Sequence, residues 1–174
     1  MTKYIALLRG INVGGNKKIE MSKLKKVFED LSFKNVSTYI NTGNVIFETD
    51  KKDFKNIIEK TLQKTFGFEV WIIIRDAENI KKLCKNVPKE FKNDTEQRTD
   101  ILFLWDEYNN DKSIELIKIT KVDILKYING ALVWNIKRKD LSKSGMRKFI
   151  GSPLYKNMTA RNINTVRKLN ELIN

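Results

Sequence analysis

Apolar and polar positions follow two different periods along this chain. Residues 3–9 form a short apolar strand, whereas residues 22–31 place Leu24, Val27, Phe28 and Leu31 on one helical stripe. Strands are expected at 36–40 and 45–48, joined by Asn41-Thr42-Gly43-Asn44, whose composition is that of a turn. Phe54, Ile57, Ile58, Leu62 and Phe66 mark a second amphipathic helix, and residues 70–75 a fourth strand. The order βαββαβ is that of the split-βαβ, or ferredoxin-like, unit.

Beyond residue 75 the pattern restarts. A helix is expected at 77–86, a polar loop at 86–98, a strand at 101–105 and a helix around 114–119. Strands at 123–128 and 132–136 flank Asn129-Gly130, a strong two-residue hairpin signal. The end reads as helix, with Thr159 as N-cap and Ile163, Val166, Leu169 and Ile173 facing inward. The expected fold is therefore α+β with two lobes packed as one compact unit. Lobe 1–75 is ferredoxin-like, and lobe 76–174 is a related but incomplete βαββα unit, without a closing strand and with basic C-terminal helices. The runs 4–8 and 70–74 are apolar at successive positions, so both faces of those strands should be buried, most simply under the second lobe.

Composition narrows the chemistry. The 174 residues contain no histidine, which removes Ser-His triads, histidine bases and histidine-ligated metals. One cysteine, Cys84, forms neither an intrachain disulfide nor a Cys-x-x-Cys site, and its helical spacing makes it a small core residue. No apolar run reaches the roughly 20 residues of a membrane span, and the N-terminus lacks the pattern of a signal peptide, so a cytoplasmic location is expected. The paired carboxylates Glu29-Asp30 and Asp106-Glu107, and Asp94 with Glu96, lie in solvated contexts. Neither a catalytic constellation, a metal site nor a cofactor motif stands out.

Charge adds a direction. The formal net charge is +13, of which residues 137–174 hold +8. A concentrated basic region suits polyanions or phosphorylated ligands, although plain solubility explains it as well.

Three segments carry candidate chemistry. The first follows the opening strand: Arg9-Gly10-Ile11-Asn12-Val13-Gly14-Gly15-Asn16-Lys17-Lys18. Gly14 and Gly15 let backbone amides approach an anion, Arg9, Lys17 and Lys18 bring charge, and Asn12 and Asn16 donate and accept. The spacing is neither a Walker loop nor Gly-x-Gly-x-x-Gly. The second is the turn with Asn41, Thr42 and Asn44, which a βαββαβ topology brings to the same sheet edge as the first. The third comprises Lys143-Ser144-Gly145-Met146-Arg147-Lys148 and the region of Arg161 and Asn162, expected in the first turn of the last helix. Cations are unfavourable there, so Arg161 should serve a ligand or an internal carboxylate. Lys137, Arg138, Lys139, Lys143, Arg147 and Lys148 form the expected flanking basic surface. Trp71, Trp105 and Trp134 read as strand residues in the core, with Trp134 the one candidate for base stacking.

Three stretches together form a signature. Ala6-Leu7-Leu8-Arg9-Gly10-Ile11-Asn12-Val13-Gly14-Gly15, with Met21-x-x-Leu24, comes first, and Thr38-Tyr39-Ile40-Asn41-Thr42-Gly43-Asn44-Val45-Ile46-Phe47 second. Met158-Thr159-Ala160-Arg161-Asn162-Ile163-Asn164-Thr165-Val166-x-x-Leu169 is the third. This chain resembles the bacterial family catalogued as domain of unknown function 1697, departing from it at Asn41-Thr42 and Ile163. The resemblance implies a two-lobed α+β fold with a ferredoxin-like part and implies no activity.

The expectation is binding of an anionic ligand, a nucleic acid or a nucleotide, at a basic Gly/Asn/Arg site. Arg9 and Arg161 would hold phosphate, Gly14 and Gly15 would offer amides, and Asn12 and Asn44 would orient the ligand. One alternative is an enzyme acting on a phosphorylated or carboxylated small molecule in the same pocket. In another, these residues are purely structural and the function lies with a protein partner.

Overall fold

The computed structural model describes residues 1–15 and 17–174; Asn16, one of the two asparagines of the glycine-bearing loop, lies outside the described residues. The chain divides into two units, residues 1–77 with Ile173 and residues 78–172 with Asn174.

The first unit runs β1 (Thr2–Leu8), α1 (Met21–Asp30), β2 (Lys34–Tyr39), β3 (Asn44–Thr49), α2 (Phe54–Phe66) and β4 (Ile72–Asp76). Its antiparallel sheet has the order β2-β3-β1-β4. The period-2 and period-3.6 patterns explain why. Ala6 and Leu8 of β1, Val45 and Phe47 of β3 and Ile72 of β4 share one face and pack against Leu24, Phe28, Ile58 and Leu62 of the helices. Phe47 lies tilted against Phe33 at a centroid distance of 4.8 Å and meets Phe28 edge-on at 5.2 Å, which gives this core an aromatic centre. Ile5 and Leu7, on the opposite face of β1, are buried too.

The second unit begins with α3 (Ala77–Asn86), whose first residue closes the first unit, and β5 (Gln97–Leu104). It continues with 3-10 turns at Asp106–Tyr108 and Asp111–Leu116, then β6 (Ile124–Ile128) and β7 (Ala131–Lys137). After a 3-10 turn at Arg138–Lys143 come α4 (Met146–Phe149), α5 (Pro153–Lys156), β8 (Met158–Asn162) and α6 (Ile163–Ile173). The hairpin β6–β7 turns on Asn129 and Gly130, both at positive φ, as its sequence predicts. The sheet order β6-β7-β5-β8 repeats the arrangement of the first sheet.

Four expectations are corrected. The second half does contain a closing strand: β8 pairs with β5 through Leu102↔Ala160 and Asp100↔Asn162. Met-Thr-Ala-Arg-Asn is short and its burial runs against its polarity, with Ala160 exposed and Thr159 and Arg161 buried, so only pairing with a distant strand reveals it. The cap of the last helix is accordingly Asn162, whose side chain accepts from the Thr165 N–H at 2.9 Å, and not Thr159. Of the segment expected as a helix at 114–119, residues 114–116 end a 3-10 turn and 117–119 are irregular, because Leu116 and Ile119 stay exposed and no continuous stripe is buried. Trp71 lies just before β4 and is 49% exposed, since it alternates with the buried Val70 and Ile72. No helix among the described residues is long and apolar enough to cross a membrane.

Candidate functional site

At the end of β1 the Leu8 N–H donates to the Gly43 carbonyl at 2.8 Å and the Arg9 N–H to the Trp71 carbonyl at 2.9 Å. The chain then leaves the sheet through left-handed residues, among them Gly10, Asn12, Gly14, Gly15 and Lys17. Asn12 organises this excursion. Its Nδ2 donates to the Ile19 carbonyl at 2.9 Å and the Asn41 carbonyl at 2.7 Å, while its Oδ1 accepts from the Ile19 N–H at 2.8 Å. Its own N–H donates to the Lys17 carbonyl at 3.2 Å. The glycine loop and the Asn41–Asn44 turn therefore meet, with Asn12 as the brace between them.

The turn is equally determined. Asn44 is fully buried, and its Nδ2 donates to the Tyr39 carbonyl at 2.9 Å and to Thr42 Oγ1 at 3.0 Å. Gly43 has φ +77°, and a Cβ there would stand 2.7 Å from Leu8 Cβ and 2.7 Å from Ile11 Cδ1. Both the backbone conformation and the close packing demand glycine. Gly43→Ala should destabilise the protein by about 2 kcal/mol, measured as a lower urea midpoint with unchanged slope.

Between this loop and α1 lies a cleft of about 670 Å³. Asn12, Gly15 and Asn41 line one side, and Lys18, Glu20 and Lys23 bring charge. Ile19, Met21 and Phe66 supply apolar wall. Glu20 occupies the cap position of α1 in extended backbone without a side-chain cap bond, and the first turn carries no acidic residue. The first-turn amides thus keep their positive end of the helix dipole beside the cleft. Glu20 pairs with Lys23 at 3.2 Å, with both side chains largely exposed. Lys17 turns to another task, donating to the Glu69 carbonyl at 3.1 Å with its ammonium 5.6 Å from the Phe68 ring centre.

Of the residues singled out in the sequence, Asn12, Gly15 and Asn41 line this cleft, and Asn44 is a buried brace below the turn. Gly14 has open space where a side chain would stand, and Arg9 is half-buried at the loop's start. Ile19, Glu20, Met21, Lys23 and Phe66 are cleft residues that the sequence pattern does not assign to a site. Phe66 sits on the amphipathic stripe of α2, so period alone assigns it to the core.

Arg161 and Asn162 belong to the second unit. Arg161 sits on β8, not in a helix; it is buried, and its Nη1 donates to Thr159 Oγ1 at 3.0 Å and the Ala160 carbonyl at 2.7 Å. Burial lowers its pKa to about 10. Asn162 is occupied as the cap of α6. In the basic stretch, Lys137, Lys139, Lys143 and Lys148 are exposed. Arg138 secures the loop before β5, with Nη2 on Asn93 Oδ1 at 3.2 Å, and Lys143 pairs with Asp140 at 3.1 Å.

The segment 143–148 has a structural centre. The Asp123 carboxylate accepts from Ser144 Oγ and from the Gly145 N–H at 2.9 Å. It also accepts from the Thr120 N–H at 2.8 Å and from Trp134 Nε1 at 3.0 Å. Trp134 is fully buried, so it offers no stacking surface; its indole N–H needed a partner inside the core and Asp123 supplies it. Cys84 is partly buried, and burial pushes its thiol up to about 11, which leaves it protonated and unreactive. Among the described residues no group of three His, Cys, Asp or Glu is placed to hold a metal ion.

The fold is similar to the solved structure of the conserved bacterial protein SP0830 from Streptococcus pneumoniae. The two chains are 25% identical over 99% of each, with a TM-score of 0.82. No curated protein matches the sequence. A family model described as protein of unknown function, DUF1697, matches residues 1–133, well over half of the chain, and the chain belongs to that family.

Proposed function

We propose that the first unit binds a nucleotide-sized anionic ligand in the cleft between the glycine loop and the start of α1. One observation carries this reading: the uncapped N-terminus of α1, flanked by Lys18 and Lys23, opens into a cleft whose other wall is apolar Ile19, Met21 and Phe66. An anionic group satisfies the first-turn amides and the Lys18 ammonium and takes Lys23 over from Glu20, and a flat apolar body covers the wall. The volume of about 670 Å³ suits a small molecule better than a nucleic-acid strand. Gly14 and Gly15 contribute open backbone, and Arg9 adds charge at the loop's base. Asn12, Asn41 and Asn44 shape the site through their internal bonds. The strand order β2-β3-β1-β4, with β3 between β1 and β2, supports reading this scaffold as ferredoxin-like, and β6-β7-β5-β8 supports the same reading of the second unit. A protonated, partly buried Cys84 suits a reducing compartment, and the cytoplasm is the location proposed.

Isothermal titration with adenosine and guanosine monophosphates, alongside anisotropy with labelled single-stranded RNA across a salt series, tests the proposal. Nucleotide binding should weaken at least about tenfold in Lys18→Glu/Lys23→Glu and be unchanged in Lys143→Glu/Lys148→Glu. The first pair places acids at a helix N-terminus, which favours the helix, so lost binding would not reflect unfolding. Binding of RNA alone, abolished by the second pair, would move the function to the basic surface of the second unit. If neither probe binds, the proposal fails.

A further inference from the structure

The second unit has a cleft of its own, of about 530 Å³, over one face of its sheet. Asn135 of β7 stands opposite Thr99 of β5 and Ile124 of β6, so these three residues share that face. Gln97, two positions before Thr99, joins them from the start of β5. Gln97, Ile124 and Asn135 line the cleft.

Asn135 is 6% exposed, yet only half of its amide is spent inside the chain. Its Nδ2 donates to Gln97 Oε1 at 2.7 Å and to Thr99 Oγ1 at 2.8 Å. Gln97 Oε1 also accepts from the Lys92 N–H at 3.1 Å. A backbone N–H only donates, so the Gln97 atom it meets is the oxygen, and the Asn135 atom that meets this oxygen is the nitrogen. The other ends of both amides follow from that. Asn135 Oδ1 and Gln97 Nε2 have no partner among the described residues, and neither is sealed from solvent, so both open into the cleft. The segment that carries Gln97 is held in place. The Gln97 and Glu96 N–H groups each donate to Asp94 Oδ1 at 2.9 Å, and the Arg138 N–H donates to the Glu96 carbonyl at 2.8 Å. A fixed acceptor and a fixed donor, the free ends of two hydrogen-bonded amides, therefore face one cavity.

We propose that this cleft binds a neutral nucleobase, free or as a nucleoside, through the edge where an N–H stands beside an acceptor. Asn135 Oδ1 accepts that N–H and Gln97 Nε2 donates to the neighbouring oxygen or nitrogen, the chemistry by which side-chain amides read bases. Ile124, 45% exposed beside Asn135, covers the face of the ring. A trans peptide group points its N–H and C=O in opposite directions and does not satisfy both amides at once. Among the lining residues Lys137 and Lys139 are matched by Glu90 and Glu96, so the cleft has no net charge that calls for a phosphate. The volume is that of a small-molecule site. This site lies wholly in the second unit and is independent of the cleft proposed in the first.

Isothermal titration of the whole chain with uridine and adenosine, each beside an analogue whose donor is blocked, tests the proposal. The analogues are 3-methyluridine and N6,N6-dimethyladenosine. Wild type should bind at least one nucleoside with a Kd on the order of a millimolar or below, and its methylated analogue at least about tenfold more weakly, because the methyl group leaves Asn135 Oδ1 unpaired. Gln97→Glu is the matching change in the protein. Its carboxylate still accepts from Lys92 and Asn135 but no longer donates, so it should melt within a few degrees of wild type and lose at least about tenfold in nucleoside affinity. If Gln97→Glu does not fold, the analogue comparison on wild type decides. No binding of either nucleoside, equal binding of the methylated analogue, or unchanged affinity in a folded Gln97→Glu would overturn the proposal.

Discussion

Asp123→Ala should lower the stability of the protein by about 3–5 kcal/mol, a large share of what a chain of this size possesses. The carboxylate is 8% exposed and accepts from the Ser144 and Thr120 hydroxyls, two backbone amides and an indole. Removing it orphans donors from three segments of the second unit at once, around Thr120, Trp134 and Ser144-Gly145, and each orphan carries its own desolvation penalty. Burial raises the carboxyl pKa, but the bonds from Ser144, Gly145, Thr120 and Trp134 outweigh it and lower the pKa to about 2. The ordinary value in an unfolded chain is about 3.9, so the unfolded state takes up the proton first as pH falls. The stabilisation is fully present above about pH 4 and is lost as pH drops through about 2, which removes roughly 2–3 kcal/mol. Asp123→Asn should lack this part of the acid slope. Urea midpoints of wild type and both variants from pH 5 to pH 2 would show it, and parallel curves for wild type and Asp123→Asn would contradict it.

Gly145→Ala should cost at least about 3 kcal/mol, for a reason unrelated to backbone freedom. Gly145 has φ −67° and ψ −11°, which any residue adopts. Space is what forbids a side chain: a Cβ would stand 2.1 Å from the Lys118 carbonyl oxygen, with the Lys118 carbonyl carbon at 3.2 Å and Ile119 Cα at 3.3 Å. All three are backbone atoms, so no rotamer change relieves the clash. Moving residues 118–119 away pulls Thr120 and Gly145 off the Asp123 carboxylate. The two substitutions therefore damage one network, and Asp123→Ala/Gly145→Ala should destabilise by clearly less than the sum of the single effects. Thermal and urea unfolding of the four proteins in the cycle measures this, and full additivity would mean that the clash and the carboxylate network are independent.

Much of the architecture was legible before any coordinates. The apolar runs of β1 and β4, the stripes of α1 and α2 and the Asn129-Gly130 hairpin all appear as local period and turn chemistry, and of the three signature stretches Ala6–Gly15 and Thr38–Phe47 fall within the residues the family model matches. The closing strand β8 was not legible, because its five residues are held by pairing with β5, about 60 positions earlier in the chain, and bury Thr159 and Arg161 while exposing Ala160. The chemistry of the candidate residues was legible only as a list of types. Asn12, Asn44 and Asn162 all read as ligand groups, and all three spend their side chains on internal bonds.

The sequence by itself determined the element types of the first unit, the exclusion of histidine chemistry and the single, unreactive thiol, since these follow from composition and from periods that span a few residues. The tertiary structure alone decided which polar groups are braces and which face open space. Trp134 is in the core because Asp123 reaches it from another segment. Gly145 is glycine because Lys118 passes over it. Phe66 packs against the core of the first unit and also walls a cleft with Gly15 and Lys23. Each of these depends on a partner that chain distance hides, and a side chain's role is set by the partner that folding brings to it.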